Sequence, residues 1–123
     1  MKFLVVDDSP TMRRIVNNAL GRIGYTDVVE AEDGRDGMAK LSIEEIDFII
    51  TDWNMPNMNG LQFTKTVRTS SDYAGLPILM VTTRSGKEDV LEALQARVNN
   101  YITKPFTPQV LKEKIDQILQ SRR

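Results

Sequence analysis

The chain has 123 residues, with 16 Lys and Arg against 17 Asp and Glu, and a formal charge of −1. This length fits one domain, and 41% hydrophobic with 27% charged residues is an ordinary globular composition. Cysteine and histidine are absent, which excludes disulfides, Cys/His zinc sites, Ser-His-Asp nucleophiles and phosphohistidine. No apolar run approaches the ~20 residues of a membrane span and no signal peptide is evident, so we expect a cytoplasmic protein.

Charge is unevenly distributed along the chain. Residues 1–60 carry six basic and eleven acidic side chains, whereas residues 61–123 carry ten basic and six acidic ones. Neither half is charged strongly enough to predict a nucleic-acid partner. The imbalance is typical of solvated helix faces, but it also fits a cation-attracting end and a separate, mildly basic docking face.

Five short apolar runs, at residues 3–6, 28–31, 48–51, 78–81 and 101–103, predict β-strands. The first, third and fourth runs are almost wholly apolar, as in strands that are buried on both faces. The second and fifth runs contain polar residues and fit the edges of a sheet.

Helix-period segments lie between and after these strands. Apolar residues recur at helical spacing in 12–23, 90–98 and 111–119, and weaker helices are predicted at 34–43 and 60–70. Ser9 followed by Pro10 is typical of a helix cap and a first helical residue. We therefore predict a single α/β domain over 1–123, a doubly wound parallel sheet of five βα units. Right-handed crossovers and two edge strands favour the flavodoxin-like strand order 2-1-3-4-5.

Acidic residues follow the strands at the predicted ligand-binding edge. Asp7 and Asp8 come directly after strand 1, and Asp52 follows strand 3. Neighbouring strands lie about 4.8 Å apart, and two like charges at ~5 Å repel by roughly 3 kcal/mol. A fold tolerates a cluster of three such charges only if it binds a cation or if the pKa of a carboxyl group is raised. Oxygen ligands without His or Cys indicate Mg²⁺, with Mn²⁺ or Ca²⁺ as substitutes. Taken singly, each aspartate could instead cap a helix or end a strand.

Two further polar residues follow strands at the same edge. Strand 4 ends in Thr82, and strand 5 is followed by Lys104, whose long stem can reach back toward Asp52. Alone, either residue could be an ordinary strand end. A metal beside a carboxylate, a lysine and a hydroxyl favours phosphoryl transfer, with Asp52 as the nucleophile.

Four motifs in chain order carry a family resemblance: LVVDDS at 4–9, TDWNMPNMNG at 51–60, MVTT at 80–83 and YITKPF at 101–106. With them the chain resembles bacterial response-regulator receivers of the CheY chemotaxis type, from its first residue to its last helix. The resemblance implies that Asp52 is the phosphoacceptor. It also implies that Mg²⁺ binds to the side chains of Asp8 and Asp52 and to the main-chain carbonyl of Asn54, with Asp7 acting through water.

The resemblance also assigns the residues that hold and sense the phosphoryl group. Thr82 and Lys104 would stabilise it, and the peptide bond between Lys104 and Pro105 would be cis. Tyr101 would be the switch aromatic, whose ring moves inward as Thr82 shifts toward the phosphate. Without the resemblance, Tyr101 would be a packing residue on an edge strand.

The function implied by the resemblance is that of a regulator rather than an enzyme. The receiver would take its phosphoryl group from a chemotaxis histidine kinase and later hydrolyse it, with no turnover of an outside substrate. The phosphorylated form would bind the flagellar motor switch protein, and a phosphatase would be a further partner. We expect a monomer that binds neither nucleic acid nor membrane.

Two features favour the chemotaxis branch: Trp53 follows the acceptor, and no linker follows the last helix at 121–123. The alternative is a stand-alone phosphorelay intermediate or phosphate sink. The docking face would be formed by helix 4, strand 5 and helix 5, with contributions from Lys87, Tyr101 and Lys114.

Two arginines depart from the usual pattern of the family. Arg97 stands where glycine is common, and a side chain there costs about 1 kcal/mol if the backbone is left-handed. Arg84, two residues after Thr82, is expected to change the access of water to the site together with Asn54. An aspartate-nucleophile phosphatase and a flavin-binding electron carrier remain alternatives of other classes. The phosphatase would want an acid where Asn54 stands, and the acidic edge opposes an anionic flavin phosphate.

Overall fold

A computed structural model describes residues 1–121 as strands and helices that alternate along the chain. The strands are β1 (Phe3–Val6), β2 (Val28–Ala31), β3 (Phe48–Thr51), β4 (Ile78–Thr82) and β5 (Asn100–Thr103). The helices are α1 (Pro10–Arg22), α2 (Gly34–Ile43), α3 (Gly60–Thr69), α4 (Lys87–Gln95) and α5 (Pro108–Ser121). Residues 122 and 123, where the predicted domain ends, lie outside the described residues.

The strands form one parallel sheet in the order β2-β1-β3-β4-β5. The predicted flavodoxin-like architecture is therefore confirmed, with β2 and β5 at the edges. The central strands are buried along their whole length, because helices cover both faces of the sheet. In the part of the chain that the structure describes, no helix is both long and apolar enough to cross a lipid bilayer.

Alternation along the strands divides the core into two layers. Leu4 and Ile49 point to one face of the sheet, where they pack with apolar residues of α2, α3 and α4. Phe3 and Ile50 point to the other face and pack with residues of α1 and α5. Helices therefore cover both faces of the sheet. Ligands are expected to bind at the edge of the sheet where the carboxyl ends of the strands lie.

Local capping positions the helices that begin next to that edge. The Ser9 hydroxyl accepts a hydrogen bond from the Met12 N–H (3.2 Å), and Pro10 is the first helical residue, which confirms the predicted start of α1. At the start of α3, the side chains of Asn59 and Gln62 each accept a hydrogen bond (both 2.9 Å) from the other's backbone N–H.

The predicted helix at 90–98 extends too far, because α4 ends at Gln95. Arg97 is left-handed (φ 75°), and its N–H bonds to the Leu94 carbonyl while the N–H of Val98 bonds to that of Ala93. This is a Schellman turn, in which the apolar residue after the turn packs back on the helix. Val98 is buried for this reason and not because it continues the helix.

Candidate functional site

Two backbone hydrogen bonds extend the sheet past its strand ends and fix the first acidic residues. The Asp52 N–H donates to the Val6 carbonyl (2.9 Å), and the Asp7 N–H donates to the Ala31 carbonyl (3.1 Å). Since Val6 pairs with Thr51 in the ladder, Asp7 and Asp52 leave neighbouring strands at the same level.

Three carboxylates converge at this edge, as predicted from the sequence. Asp7, Asp8 and Asp52 each offer an oxygen, and these atoms all lie within 4.8 Å of one another. Asp7 is buried, Asp52 is half-buried and Asp8 is exposed, so the cluster has a deep end and a solvent-facing end. An all-oxygen donor set open to solvent on one side fits a hard divalent cation that keeps some of its water.

Lys104 reaches the cluster from the end of β5. Its Nζ lies 2.9 Å from Asp7 Oδ2 and 3.2 Å from Asp52 Oδ2. The sequence predicted the approach to Asp52, but not the shorter contact with Asp7. Three carboxylates and one ammonium leave a formal charge of −2, which one divalent cation neutralises. The peptide bond between Lys104 and Pro105 is cis.

Both carboxylate oxygens of Asp52 are held in place. Oδ1 accepts a hydrogen bond from the backbone N–H of Trp53 (2.7 Å), and Oδ2 accepts one from Lys104. The side chain nevertheless remains 13% exposed, so a reacting group can approach it. Asp7 is held similarly, because its Oδ1 accepts from the Ser9 N–H (2.9 Å). Asp7 and Asp52 are thus oriented by the protein itself.

Thr82 and Asn54 both accept hydrogen bonds from Arg84, Thr82 from its backbone and Asn54 from its side chain. Thr82 is fully buried at the end of β4, and its hydroxyl oxygen accepts a hydrogen bond from the Arg84 N–H (3.3 Å). Asn54 is exposed, and its Oδ1 accepts from Arg84 Nε (3.0 Å). The amide of Asn54 therefore faces Arg84, which leaves its main-chain carbonyl as the candidate for a metal ligand.

The Arg84 side chain bridges the loops after β3 and β4. Besides Asn54, it contacts Asp89 of α4 through Nη1 (3.3 Å) and lies over the indole ring of Trp53. The sequence associated Arg84 with Asn54, whereas the stacking on Trp53 was missed. Trp53 itself is buried (3% exposed), so this contact also shields its ring from solvent.

Tyr101 on β5 is connected to the same loop. Its hydroxyl donates a hydrogen bond to the Arg84 carbonyl (2.7 Å), and its ring is half-buried. Burial, together with the negative charge of Asp89, raises the pKa of Tyr101 from 10.0 to about 12. Tyr101 thus contacts the loop after β4 and not the acidic cluster.

Two of the three predicted docking residues, Tyr101 and Lys114, share a groove. Tyr101 and Lys114 line an open groove of about 420 Å³ between β5 and α5. Lys87 is exposed at the first residue of α4. On the same helix, Leu91 and Leu94 are 49% and 45% exposed, although their spacing fits an apolar helix face.

The fold and site define a doubly wound α/β protein with an acidic, lysine-bridged cluster at the carboxyl edge of its sheet. A sequence model of the response regulator receiver domain matches residues 3–116. The chain therefore belongs to the receiver-domain family of response regulators, which are signalling regulators.

The similarity to individual receivers covers nearly the whole chain. The protein is 58% identical over 120 residues to chemotaxis protein CheY1 of Helicobacter pylori strain ATCC 700392 / 26695, with 97% of each chain covered. It is also 58% identical to a chemotaxis protein CheY homolog of Campylobacter jejuni subsp. jejuni strain 81-176, covering 97% of this chain and 92% of that protein. The crystallised CheY4 of Vibrio cholerae superposes with a TM-score of 0.87 at 39% identity, covering 95% of this chain and 97% of the other.

Proposed function

We propose that the protein is a phosphorylation-activated signalling switch of bacterial chemotaxis. It accepts a phosphoryl group on Asp52 from a histidine kinase and then binds the flagellar motor switch protein. The observation that carries this proposal is the convergence of Asp7, Asp8 and Asp52 with the ammonium group of Lys104. The names of the Helicobacter and Campylobacter relatives support the chemotactic role.

The cofactor in this proposal is Mg²⁺. Asp8 and Asp52 would bind it through their side chains, Asn54 through its main-chain carbonyl, and Asp7 through water. These are oxygen donors, and the chain contains no His or Cys that would favour a softer metal. When bound, the ion supplies positive charge beside the phosphoryl oxygens.

Asp52 acts as the nucleophile in the phosphotransfer. One of its carboxylate oxygens attacks the phosphorus of the phosphohistidine. The P–N bond breaks, its electron pair stays with the imidazole, and the imidazole takes up a proton. The Lys104 ammonium and the Thr82 hydroxyl then donate hydrogen bonds to phosphoryl oxygens. The new acyl phosphate carries more negative charge than the carboxylate it replaces, so the ammonium beside Asp52 becomes more important after transfer.

Hydrolysis returns the protein to its resting state. Water attacks the phosphorus, the P–O bond to Asp52 breaks, and inorganic phosphate leaves. Arg84 and Asn54 would line one approach for that water, because they are hydrogen-bonded to each other and Arg84 stacks on Trp53, the neighbour of Asp52. Only the protein's own aspartate turns over in this cycle, so the protein acts as a cytoplasmic regulator rather than as an enzyme with an outside substrate.

The output surface in this proposal is the face formed by α4, β5 and α5. Phosphorylation draws Thr82 toward the phosphoryl group, and the ring of Tyr101 moves inward, which breaks its hydrogen bond to the Arg84 carbonyl. An amphipathic segment of the motor protein then packs its apolar side on Leu91 and Leu94. Lys87 and Lys114 pair with acidic residues of that segment.

The docking surface can be tested by charge reversal. The double variant Lys87→Glu, Lys114→Glu is expected to lose most of its affinity for a motor-switch peptide in the presence of beryllofluoride, measured by fluorescence anisotropy. The variant Arg22→Glu, Lys65→Glu reverses the same charge at exposed positions on α1 and α3 and is expected to bind normally. Unchanged affinity in the first variant would rule out this face.

The phosphoacceptor site can be tested with the fluorescence of Trp53, the single tryptophan, whose backbone N–H is bonded to Asp52. Titration with Mg²⁺ should change the emission, and beryllofluoride should change it further only in the presence of Mg²⁺. Asp52→Asn should abolish the second response. If the Trp53 emission did not change at millimolar Mg²⁺, the acidic cluster would not be a working metal site. Transfer from phospho-Asp52 to a second histidine protein, without binding of the motor peptide, would favour the phosphorelay alternative.

A further inference from the structure

The loop between β3 and α3, residues 52–59, contains Asp52 and Asn54, and it is attached to the start of α2. The attachment is a hydrogen bond of 2.7 Å from the Asn57 amide to Oδ2 of Asp33. Asp33 is only 4% exposed, and its other oxygen accepts from the backbone N–H of Asp36 (2.8 Å), which caps α2. The carboxylate is therefore fixed by a helix start and presents one oxygen to the loop.

The backbone at Asn57 and Met58 packs closely against the first residue of α2. Asn57 itself is left-handed (φ 64°). The Gly34 N–H donates to the Met58 carbonyl (2.9 Å), and a Cβ on Gly34 would lie 2.6 Å from Met58 Cγ. The loop thus lies directly against the first turn of α2, and only a residue without a side chain fits at position 34.

The end of the loop returns to its beginning. The Gly60 N–H donates to the Trp53 carbonyl (2.8 Å), and a Cβ on Gly60 would collide with the backbone oxygen of Asp52. The residues that follow Met58 in the chain therefore contact the backbone of Asp52 and Trp53 directly. The position of the Asn54 carbonyl, in the middle of this closed loop, depends on the same contacts.

We propose that Asp33 and Asn57 are positioning residues for the cation site, because their hydrogen bond sets the loop conformation that aims Asp52 and the Asn54 carbonyl at the ion. This inference rests on the proposed function in that it takes Asn54 as a main-chain ligand. Neither residue is among the proposed ligands of the ion. The hydrogen bond from Asn57 lowers the pKa of Asp33, which keeps it ionised as the acceptor at neutral pH.

Two substitutions of Asn57 separate the side-chain bond from the backbone conformation. Asn57→Gly removes the amide but accepts the left-handed φ, and we expect a loss of about threefold in Mg²⁺ affinity. Asn57→Asp places a second carboxylate against Asp33, and we expect a loss of about tenfold. The exchange variant Asp33→Asn, Asn57→Asp restores the hydrogen bond with donor and acceptor reversed, and its affinity should return to within about twofold of the original protein.

The affinities are measured from the Trp53 fluorescence of the full chain, with Mg²⁺ alone as the ligand. Amide hydrogen exchange without metal gives a second readout, in which Met58 and Gly60 should exchange faster in Asn57→Asp and normally in the exchange variant. Arg68→Ala serves as the stability control. It removes hydrogen bonds to the carbonyls of Ala74 (2.9 Å) and Leu76 (2.6 Å), which lie at the opposite edge of the sheet.

The outcomes are distinguishable. Weaker Mg²⁺ binding in Asn57→Asp, rescued by the exchange and absent in Arg68→Ala, would support the proposal. Normal binding in Asn57→Asp, failure of the rescue, or an equal loss in Arg68→Ala would overturn it. A protein that shows no Mg²⁺ response without any substitution would contradict the proposed function itself.

Discussion

The guanidinium group of Arg84 stacks on the indole of Trp53, with 4.5 Å between Cζ and the ring centre. Trp53 follows the candidate phosphoacceptor, and Arg84 lies two residues beyond the end of β4. A cation–π pair of this kind contributes about 1 kcal/mol when it is partly shielded from water. The pair therefore holds the Arg84 side chain against Trp53, the neighbour of Asp52, although arginine is one of the most flexible residues.

This contact predicts a role for Arg84 in the lifetime of the phosphorylated state. In Arg84→Ala the approach to Asp52 is opened, and hydrolysis is expected to be about three- to tenfold faster, which corresponds to roughly 0.7–1.4 kcal/mol in the barrier. The rate is measured as the decay of the phosphorylated form after the phosphodonor is removed. Arg22→Ala, an exposed arginine at the end of α1, should decay at the original rate. Equal rates in all three proteins would contradict the prediction.

Lys104→Met tests whether the lysine neutralises the acidic cluster. The side chain of Asp7 is only 5% exposed, so it would be left as a buried carboxylate without its ammonium partner. We expect the free energy of unfolding without metal to fall by about 3 kcal/mol, as for other broken buried pairs. Saturating Mg²⁺ should recover part of this loss by binding only the folded state.

Denaturant unfolding of Lys104→Met, with and without Mg²⁺, measures this recovery. Lys112→Met is the control, because Lys112 is exposed and its partner Asp116 lies on the same helix. A Lys104→Met protein whose stability does not respond to Mg²⁺ would show that the carboxylates do not bind the ion in the folded state.

The raised pKa of Tyr101 predicts a loss of stability at high pH. The folded protein holds the phenolic proton up to a pH of about 12, whereas an unfolded tyrosine loses it near 10.0. The contribution of Tyr101 to the free energy of unfolding is therefore fully present below pH 10 and is lost as the pH rises through about 12. The phenolate absorbance of the original protein minus that of Tyr101→Phe gives the titration of Tyr101. A midpoint near 10 would mean that the ring is solvated.

Arg97→Gly is expected to stabilise the protein by about 0.5–1 kcal/mol. Arg97 occupies the left-handed position of the Schellman turn after α4, where glycine has no steric cost. Arg97→Ala separates the effect of the left-handed backbone from that of the side-chain contact. Alanine keeps the cost of a Cβ at the left-handed φ, but it removes the weak hydrogen bond from Arg97 Nη2 to the Arg68 carbonyl (3.3 Å). Thermal unfolding should rank Gly above both Arg and Ala. An Ala variant as stable as the Gly variant would exclude backbone strain as the cause.

The fold was predictable because strand burial and helix period agree along the chain. Continuous apolar runs identified the buried strands, and polar residues in runs 2 and 5 identified the edges. The end of α4 was not predictable from the pattern alone. Val98 continues the helical spacing, yet it packs after a left-handed turn that the sequence marks with arginine instead of glycine.

Some features of the site could be predicted from the sequence and others could not, depending on whether the sheet or the loops position the residues. Asp7, Asp8 and Asp52 were placed together because the sheet topology fixes where strand ends meet. The contacts from Asn57 to Asp33 and from Arg84 to Trp53 depend instead on loop backbones and side-chain rotamers. The periodicity of apolar residues in the sequence indicates neither contact. An asparagine at a left-handed position is the only local trace of the first one.

The bond between Lys104 and Asp7 joins residues that are 97 positions apart, and this separation affects how the protein is made. Translation delivers the three aspartates when less than half of the chain has been synthesised. The ammonium that balances them follows only with the fifth strand. A growing chain on the ribosome therefore holds acidic groups without their counter-charge until synthesis is nearly complete. Lys104 directly follows the strand that completes the sheet, so the acidic cluster is balanced only once that strand has been made.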